Sequence, residues 1–183
     1  MGALSGRSIY LVGDSWVAGA AGRALATELR RQGARVQVDG KVGRTSRALS
    51  RDVAFPRALR TFRPSLIIYM LGVNDTPGAQ LRGNYERLAA AARGADVWVV
   101  PNTMLNHHVE RINAVTLAQR EVFGERVVNT RGLTTAEDYD GSGYHLHRAG
   151  AERWVARLVQ RLPITPLDTL GQALLQLVPG ATR

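Results

Sequence analysis

Gly13-Asp14-Ser15-Trp16 places a serine on a glycine-led turn directly after the apolar run Ser8 to Val12. A serine between strand and helix presents its hydroxyl at the sheet edge. Its peptide N–H then lies at a helix N-terminus, where developing negative charge is stabilised. The same residues would also make an ordinary helix cap. Gly40-Lys-Val-Gly43-Arg-Thr-Ser46 follows the second apolar run. A glycine there lets the backbone aim an N–H at a ligand, or simply makes a turn, and no Gly-Lys-Ser/Thr follows as a nucleotide-phosphate loop requires. Gly72-Val-Asn74-Asp75 follows the third. An asparagine amide can donate to an oxyanion, although Asn and Asp are common turn residues too. Asp140-Gly-Ser-Gly-Tyr-His145-Leu-His147-Arg-Ala-Gly150 precedes the last amphipathic segment, and a histidine just before a helix can serve as general base. Each signal is weak alone. Jointly they supply a nucleophile, oxyanion donors and a base, the parts needed for acyl transfer by a serine.

The elements that must position these residues alternate in type. Strands are expected at Ser8–Val12, Arg35–Val38, Leu66–Leu71, Asp96–Val100 and Arg126–Val128. Helices are expected at Val17–Gln32, in turns from Ser46 to Phe62 interrupted at Pro56, and at Ala79–Arg93, Val109–Phe123 and Ala149–Leu162. Strands alternating with helices predict an α/β fold, a three-layer α/β/α sandwich around a parallel five-stranded sheet. Ligands in such sheets bind at the carboxyl ends of the strands, near the switch point in strand order, where all four stretches fall.

With 183 residues the chain is long enough for one domain with a substantial core. Its 45% hydrophobic and 21% charged residues argue against disorder, collagen and a coiled coil. The absence of cysteine excludes a disulfide scaffold, thiolate metal sites and a cysteine nucleophile. No apolar run reaches membrane-spanning length, and Met1 to Ser8 lacks a signal-peptide layout. A soluble chain is expected, cytoplasmic or released by lysis or as part of a particle. The net charge of +9 rests on arginine, with Lys41 the sole lysine. Codon bias of a GC-rich coding sequence explains that charge ahead of a functional basic surface.

The four stretches resemble the SGNH (GDSL-type) hydrolase superfamily. The likeness runs from about Ile9 to Trp154, through Leu11-Val-Gly-Asp-Ser15, Val42-Gly43-Arg-Thr-Ser46, Leu71-Gly-Val-Asn-Asp75 and His145-Leu146 with Ala149-Gly150. The resemblance implies a flavodoxin-like SGNH hydrolase fold over residues 1–163, with 164–183 as an added amphipathic helix and tail. It implies Ser15 as nucleophile and His145 as base. The Ser15 and Gly43 N–H groups and the Asn74 amide would form the oxyanion hole, and no metal or cofactor would be needed. The family's aspartate three residues before the histidine is replaced by Ser142. Asp140 is the favoured substitute, reaching the ring across a short Gly141-Ser-Gly143 insertion. Asp138, a Ser–His dyad and a weakened enzyme stay open.

An ester substrate is expected, with an acetylated or anionic glycan as the family-level choice over the substrates of lipases, thioesterases or acyltransferases. Arg44, Arg47 and Arg51 recur at helical spacing beyond Gly43, a basic rim for such a polymer or a plain solvated face. Without aromatic interleaving, a nucleic-acid partner is not expected. Trp16 and Tyr144 flank the serine and the histidine, where they would line an acyl or sugar pocket or simply pack. Asn106-His107-His108 lacks carboxylate partners at ligand spacing and reads as loop or pocket wall. Leu167, Leu170, Leu174 and Leu177 form one stripe after a helix start at Thr165. That helix docks on its own domain or joins a second copy in a homo-oligomer. A binding or structural module on the same fold is the competing class.

Overall fold

A computed structural model describes residues 3–104 and 109–162. The apolar runs become parallel strands β1 (Ser8–Gly13), β2 (Arg35–Gly40), β3 (Leu66–Met70) and β4 (Asp96–Val99), in the order β2-β1-β3-β4. Between and after them lie helices α1 (Ser15–Ala18), α2 (Ala20–Arg31), α3 (Ser46–Ser50), α4 (Ala54–Phe62), α5 (Ala79–Ala91), α6 (Val109–Phe123) and α7 (Arg148–Leu158).

Alternation along the strands decides which layer each side chain joins. Ile9, Leu11, Leu66, Ile68 and Met70 pack with Leu25 and Leu29 of α2 and Trp154, Val155 and Leu158 of α7. Tyr10, Val12, Ile67 and Tyr69 face the other way, against Leu59, Tyr85, Leu88, Val115 and Phe123. All five residues of β3 are buried, as its unbroken apolar sequence requires of a strand covered on both faces. The register sets Gly13 opposite Gly40 on one side and Met70 on the other, so the ends of β1, β2 and β3 open on one edge.

The expected five-stranded sheet has four strands. The run Arg126–Val128 contributes one bridge, Val99 to Val127, and one hydrogen bond from Val128 N to Val99 O of 2.8 Å. β4 stops at Val99, and Pro101 has no N–H to extend a ladder. Two helical expectations also change. The single helix from Val17 breaks at Gly19 into α1 and α2. Pro56 does not interrupt its helix but sits in the first turn of α4, where its missing N–H costs nothing; the break falls at 51–53 instead. Among the described residues no helix is long and apolar enough to cross a membrane. Residues 106–108 and the leucine stripe from Thr165 lie outside the described residues.

Candidate functional site

Each site residue follows a strand or precedes a helix at the common edge. Asp14 caps α1, its side chain accepting from Trp16 N at 2.9 Å. Ser15 is thus the first residue of α1, with its N–H at the positive end of a helix turn. Across the edge, His145 Nε2 lies 2.9 Å from Ser15 Oγ. For the hydroxyl to donate to Nε2, the imidazole proton must be on Nδ1.

His145 is held by a tight hairpin. Asp140 N donates to His145 O at 2.8 Å, Gly143 N donates to Asp140 O at 3.0 Å, and Tyr139 bridges Leu146 antiparallel. Asp140 and His145 therefore face each other across the Gly141-Ser142-Gly143 tip. The Asp140 carboxylate accepts from Ser142, from both its N–H and its hydroxyl. Its pKa is held below the usual carboxylate range first by that hydroxyl, with the His145 charge and peptide N–H adding to the effect. Among the described residues no carboxylate hydrogen-bonds His145 Nδ1. Asp138 is elsewhere engaged. Burial works against its charge, but the Thr135 N–H, Arg153 and Arg157 outweigh it and hold its carboxyl below the usual range.

The oxyanion candidates sit on two neighbouring turns. Gly43 takes φ +74°, a left-handed conformation that L side chains rarely adopt. Asn74 Nδ2 donates to Arg44 O at 3.3 Å, which uses one amide hydrogen and ties the two turns together. Neither Ser15 N–H nor Gly43 N–H meets an acceptor among the described residues. Beneath them, Asp75 accepts from Ser46 N at 2.8 Å and from Tyr85 Oη–H at 2.7 Å. Gln119 Nε2 donates to Leu71 O and to Tyr85 Oη. Two helices across the core thus brace the turn that carries Asn74.

The three residues expected to meet substrate are placed differently. Arg44 is only 9% exposed. Its guanidinium pairs with Asp39 at 2.8 Å and donates to the carbonyls of Asp39 and Gly13. It precedes α3 rather than lying on its face, and satisfies the carbonyls at the ends of β1 and β2, so the expected basic rim keeps Arg47 and Arg51 without it. Trp16 is 2% exposed and packs edge-on against Trp154 at 5.6 Å. Its indole N–H reaches Tyr144 O at 3.1 Å, so it supports the histidine hairpin from below instead of lining a pocket. Tyr144 is 40% exposed at the hairpin tip.

Asn102 is a residue the motif reading missed. Its amide donates to both oxygens of Asp14, at 3.1 and 2.9 Å. The signal was its place, just beyond the β4 strand on the same edge. Burial pushes the pKa of Asp14 up to about 7, against the opposing hydrogen bonds of Trp16, Asn102 and the Val73 N–H. Among the described residues no three His, Asp or Glu side chains are grouped to hold a metal ion.

No protein-family model and no curated protein matches the chain. Solved structures do match it. An alpha/beta hydrolase enzyme from the metagenome of Lake Arreo, Spain, superposes with a TM-score of 0.71 at 13% identity, covering 87% of this chain and 96% of that one. An acetylxylan esterase from Geobacillus stearothermophilus gives 0.64 at 15%, covering 89% and 97%. A lipase/acylhydrolase from Enterococcus faecalis gives 0.65 at 19%, covering 84% and 94%. The chain shares the α/β fold of these hydrolases. Within this fold, Ser15 follows β1 and Asn74 follows β3. These strands are adjacent in the sheet though not in sequence, so the two residues sit at the topological switch point.

Proposed function

We propose that the chain is a serine esterase of the SGNH type. It removes a short acyl group, acetyl in the first instance, from a hydroxyl of a carbohydrate through an acyl-serine intermediate. The observation that carries this reading is the 2.9 Å contact between Ser15 Oγ and His145 Nε2, with Ser15 at the head of a helix. It joins residues 130 apart in sequence and pairs a nucleophile with its base. The acetylxylan esterases among the structural neighbours supply the acetyl–sugar choice. Two of those structures are of catalytic mutants, one replacing a serine by alanine and one a histidine, which supports the same pair of residue types here.

In this reading His145 Nε2 takes the Ser15 proton as Oγ attacks the ester carbonyl. The Ser15 and Gly43 N–H groups and the Asn74 amide hold the oxyanion. Collapse breaks the acyl C–O bond, and the alcohol leaves with the proton from His145. Water, deprotonated by His145, then attacks the acyl-serine, and collapse returns the proton to Ser15. Asp140 supports the imidazolium through its charge.

The test is hydrolysis of p-nitrophenyl acetate and longer p-nitrophenyl esters beside Ser15→Ala, with a fluorophosphonate probe on both proteins. Turnover and labelling lost together in Ser15→Ala, and strongest for acetate, are the expected result. A second reading, a binding module on a retained fold, is favoured by the lack, among the described residues, of a carboxylate at His145 Nδ1. No ester turnover above the Ser15→Ala background and no labelling would establish it.

A further inference from the structure

We propose that Asn102 is a positioning residue for Ser15, acting through the buried carboxylate of Asp14. The proposal rests on the esterase reading and concerns how that serine is held. Asp14 is fully buried, and Asn102 is 2% exposed. The carboxylate receives Trp16 N–H from one side of Ser15 and the Asn102 amide from the end of another strand, 88 residues away. Val73 N–H faces it as well, from the turn that carries Asn74. One carboxylate therefore ties together the turns after β1, β3 and β4.

The geometry makes Asn102 the outer half of a clamp. Asp14 and Trp16 flank Ser15, and both depend on that carboxylate. A shift of it tips the first turn of α1, and with it Ser15 Oγ relative to His145 Nε2. Asn102 Oδ1 is buried and has no partner among the described residues, so the amide is held through its donor side, on Asp14. Pro101 fixes the backbone immediately before it. A buried acid with no donor across from it would move or take up a proton. Asn102 contacts none of the reacting groups, so its effect must appear in turnover and not in substrate affinity.

Four variants test this with p-nitrophenyl acetate: Asn102→Leu, Asn102→Asp, Asp14→Asn, and the exchange Asp14→Asn with Asn102→Asp. The exchange restores one amide facing one carboxylate, and the new amide oxygen can still accept Trp16 N–H. Each single variant is expected to lower kcat by about ten- to a hundredfold with KM within about twofold, as misplacement of a reacting group does. The exchange is expected to regain most of that loss. Hydrogen exchange of the Trp16 amide is expected to quicken in Asn102→Leu while the β3 amides stay protected, a readout that does not depend on activity. Single variants at parental kcat overturn the proposal, as does an exchange variant that folds but is no better than the singles, or an unchanged Trp16 amide. A parent protein with no turnover above Ser15→Ala would instead overturn the esterase reading beneath it.

Discussion

His145 meets Ser15 through one ring nitrogen, while the other faces no carboxylate among the described residues. In a full triad, the aspartate on that second nitrogen fixes the tautomer, and its loss costs roughly ten-thousandfold in turnover. Here Asp140 is bound by Ser142 and acts on the ring through its charge. Asp140→Asn is therefore expected to lower kcat by only about tenfold, well short of the loss of a full triad aspartate. Asn74→Ala, which removes the proposed oxyanion donor, is expected to cost on the order of a hundred- to a thousandfold. Steady-state kinetics of the two variants side by side checks the order; a larger loss in Asp140→Asn would mean that its carboxylate swings onto Nδ1 during the reaction. Asp14 carries a different expectation. Its folded pKa, about 7, lies above the ordinary aspartate value of 3.8, so the folded chain holds this proton more tightly than the unfolded one. That stabilisation is complete below about pH 4 and is lost as pH rises through about 7. Urea titrations from pH 4 to 8 should show stability declining across this window in the parent, and the decline should be absent in Asp14→Asn. Ser15, Gly43, Asn74 and His145 stand out in the sequence because each follows an apolar run or precedes a helix. Asn102 shares that place, just beyond β4, but what gives it a task is a contact 88 residues distant, which no local pattern shows.

Among the elements, α7 and the hairpin before it decide where His145 stands. His147 caps α7 with Nδ1 accepting from Gly150 N–H at 3.1 Å, and Nε2 lies 2.7 Å from Glu137 O, to which its N–H donates. Gly150 lies so close to Asp138 that a Cβ would come within 2.0 Å of its carbonyl oxygen. Gly150→Ala must therefore push α7 off the chain that leads into the hairpin. It is expected to cost about 1–3 kcal/mol of stability and to lower kcat by displacing His145. His147→Ala loses the cap and the hydrogen bond to Glu137 O, about 2 kcal/mol together, but introduces no clash and should leave kcat nearer the parent. Urea unfolding and turnover measured on both variants separate displacement from simple loss of stability. The helices and strands with clear period and long runs, such as Val109–Phe123 and β3, are legible from sequence to within a residue or so. The failures have local causes. The turn from serine to α2 needs a break that Gly19 supplies inside an apparently continuous amphipathic pattern. The Arg126–Val128 run is apolar enough for a strand but has only the short β4 to pair with. Arg44 looked like part of a helical stripe, yet the strand-end carbonyls of Gly13 and Asp39 claim it first.

At the scale of the whole molecule, each face of the sheet has its own covering layer among the described residues. One face is covered by α2 and α7 and the other by α4, α5 and α6, each with its own buried cluster. Leu162 itself is buried against the first. The alternating order of elements made this layering legible, because parallel strands joined by helices leave few other arrangements. The sequence offered no comparable constraint on the leucine stripe at Leu167 to Leu177, whose apolar face could be satisfied by its own domain or by a second copy. Ending the chain after Leu162 separates these. If the core is complete as built, the shortened protein should melt within about 4 °C of the parent, a loss of no more than about 1 kcal/mol, and keep its ester turnover. Its mass in solution, set against that of the full chain by sedimentation, then reports what the stripe covers. A full chain that is dimeric and a shortened one that is monomeric would give the stripe to assembly. Equal monomeric masses with a melting point lower by much more than 4 °C would give it to the domain's own surface, and would mean that the described core is not sufficient by itself.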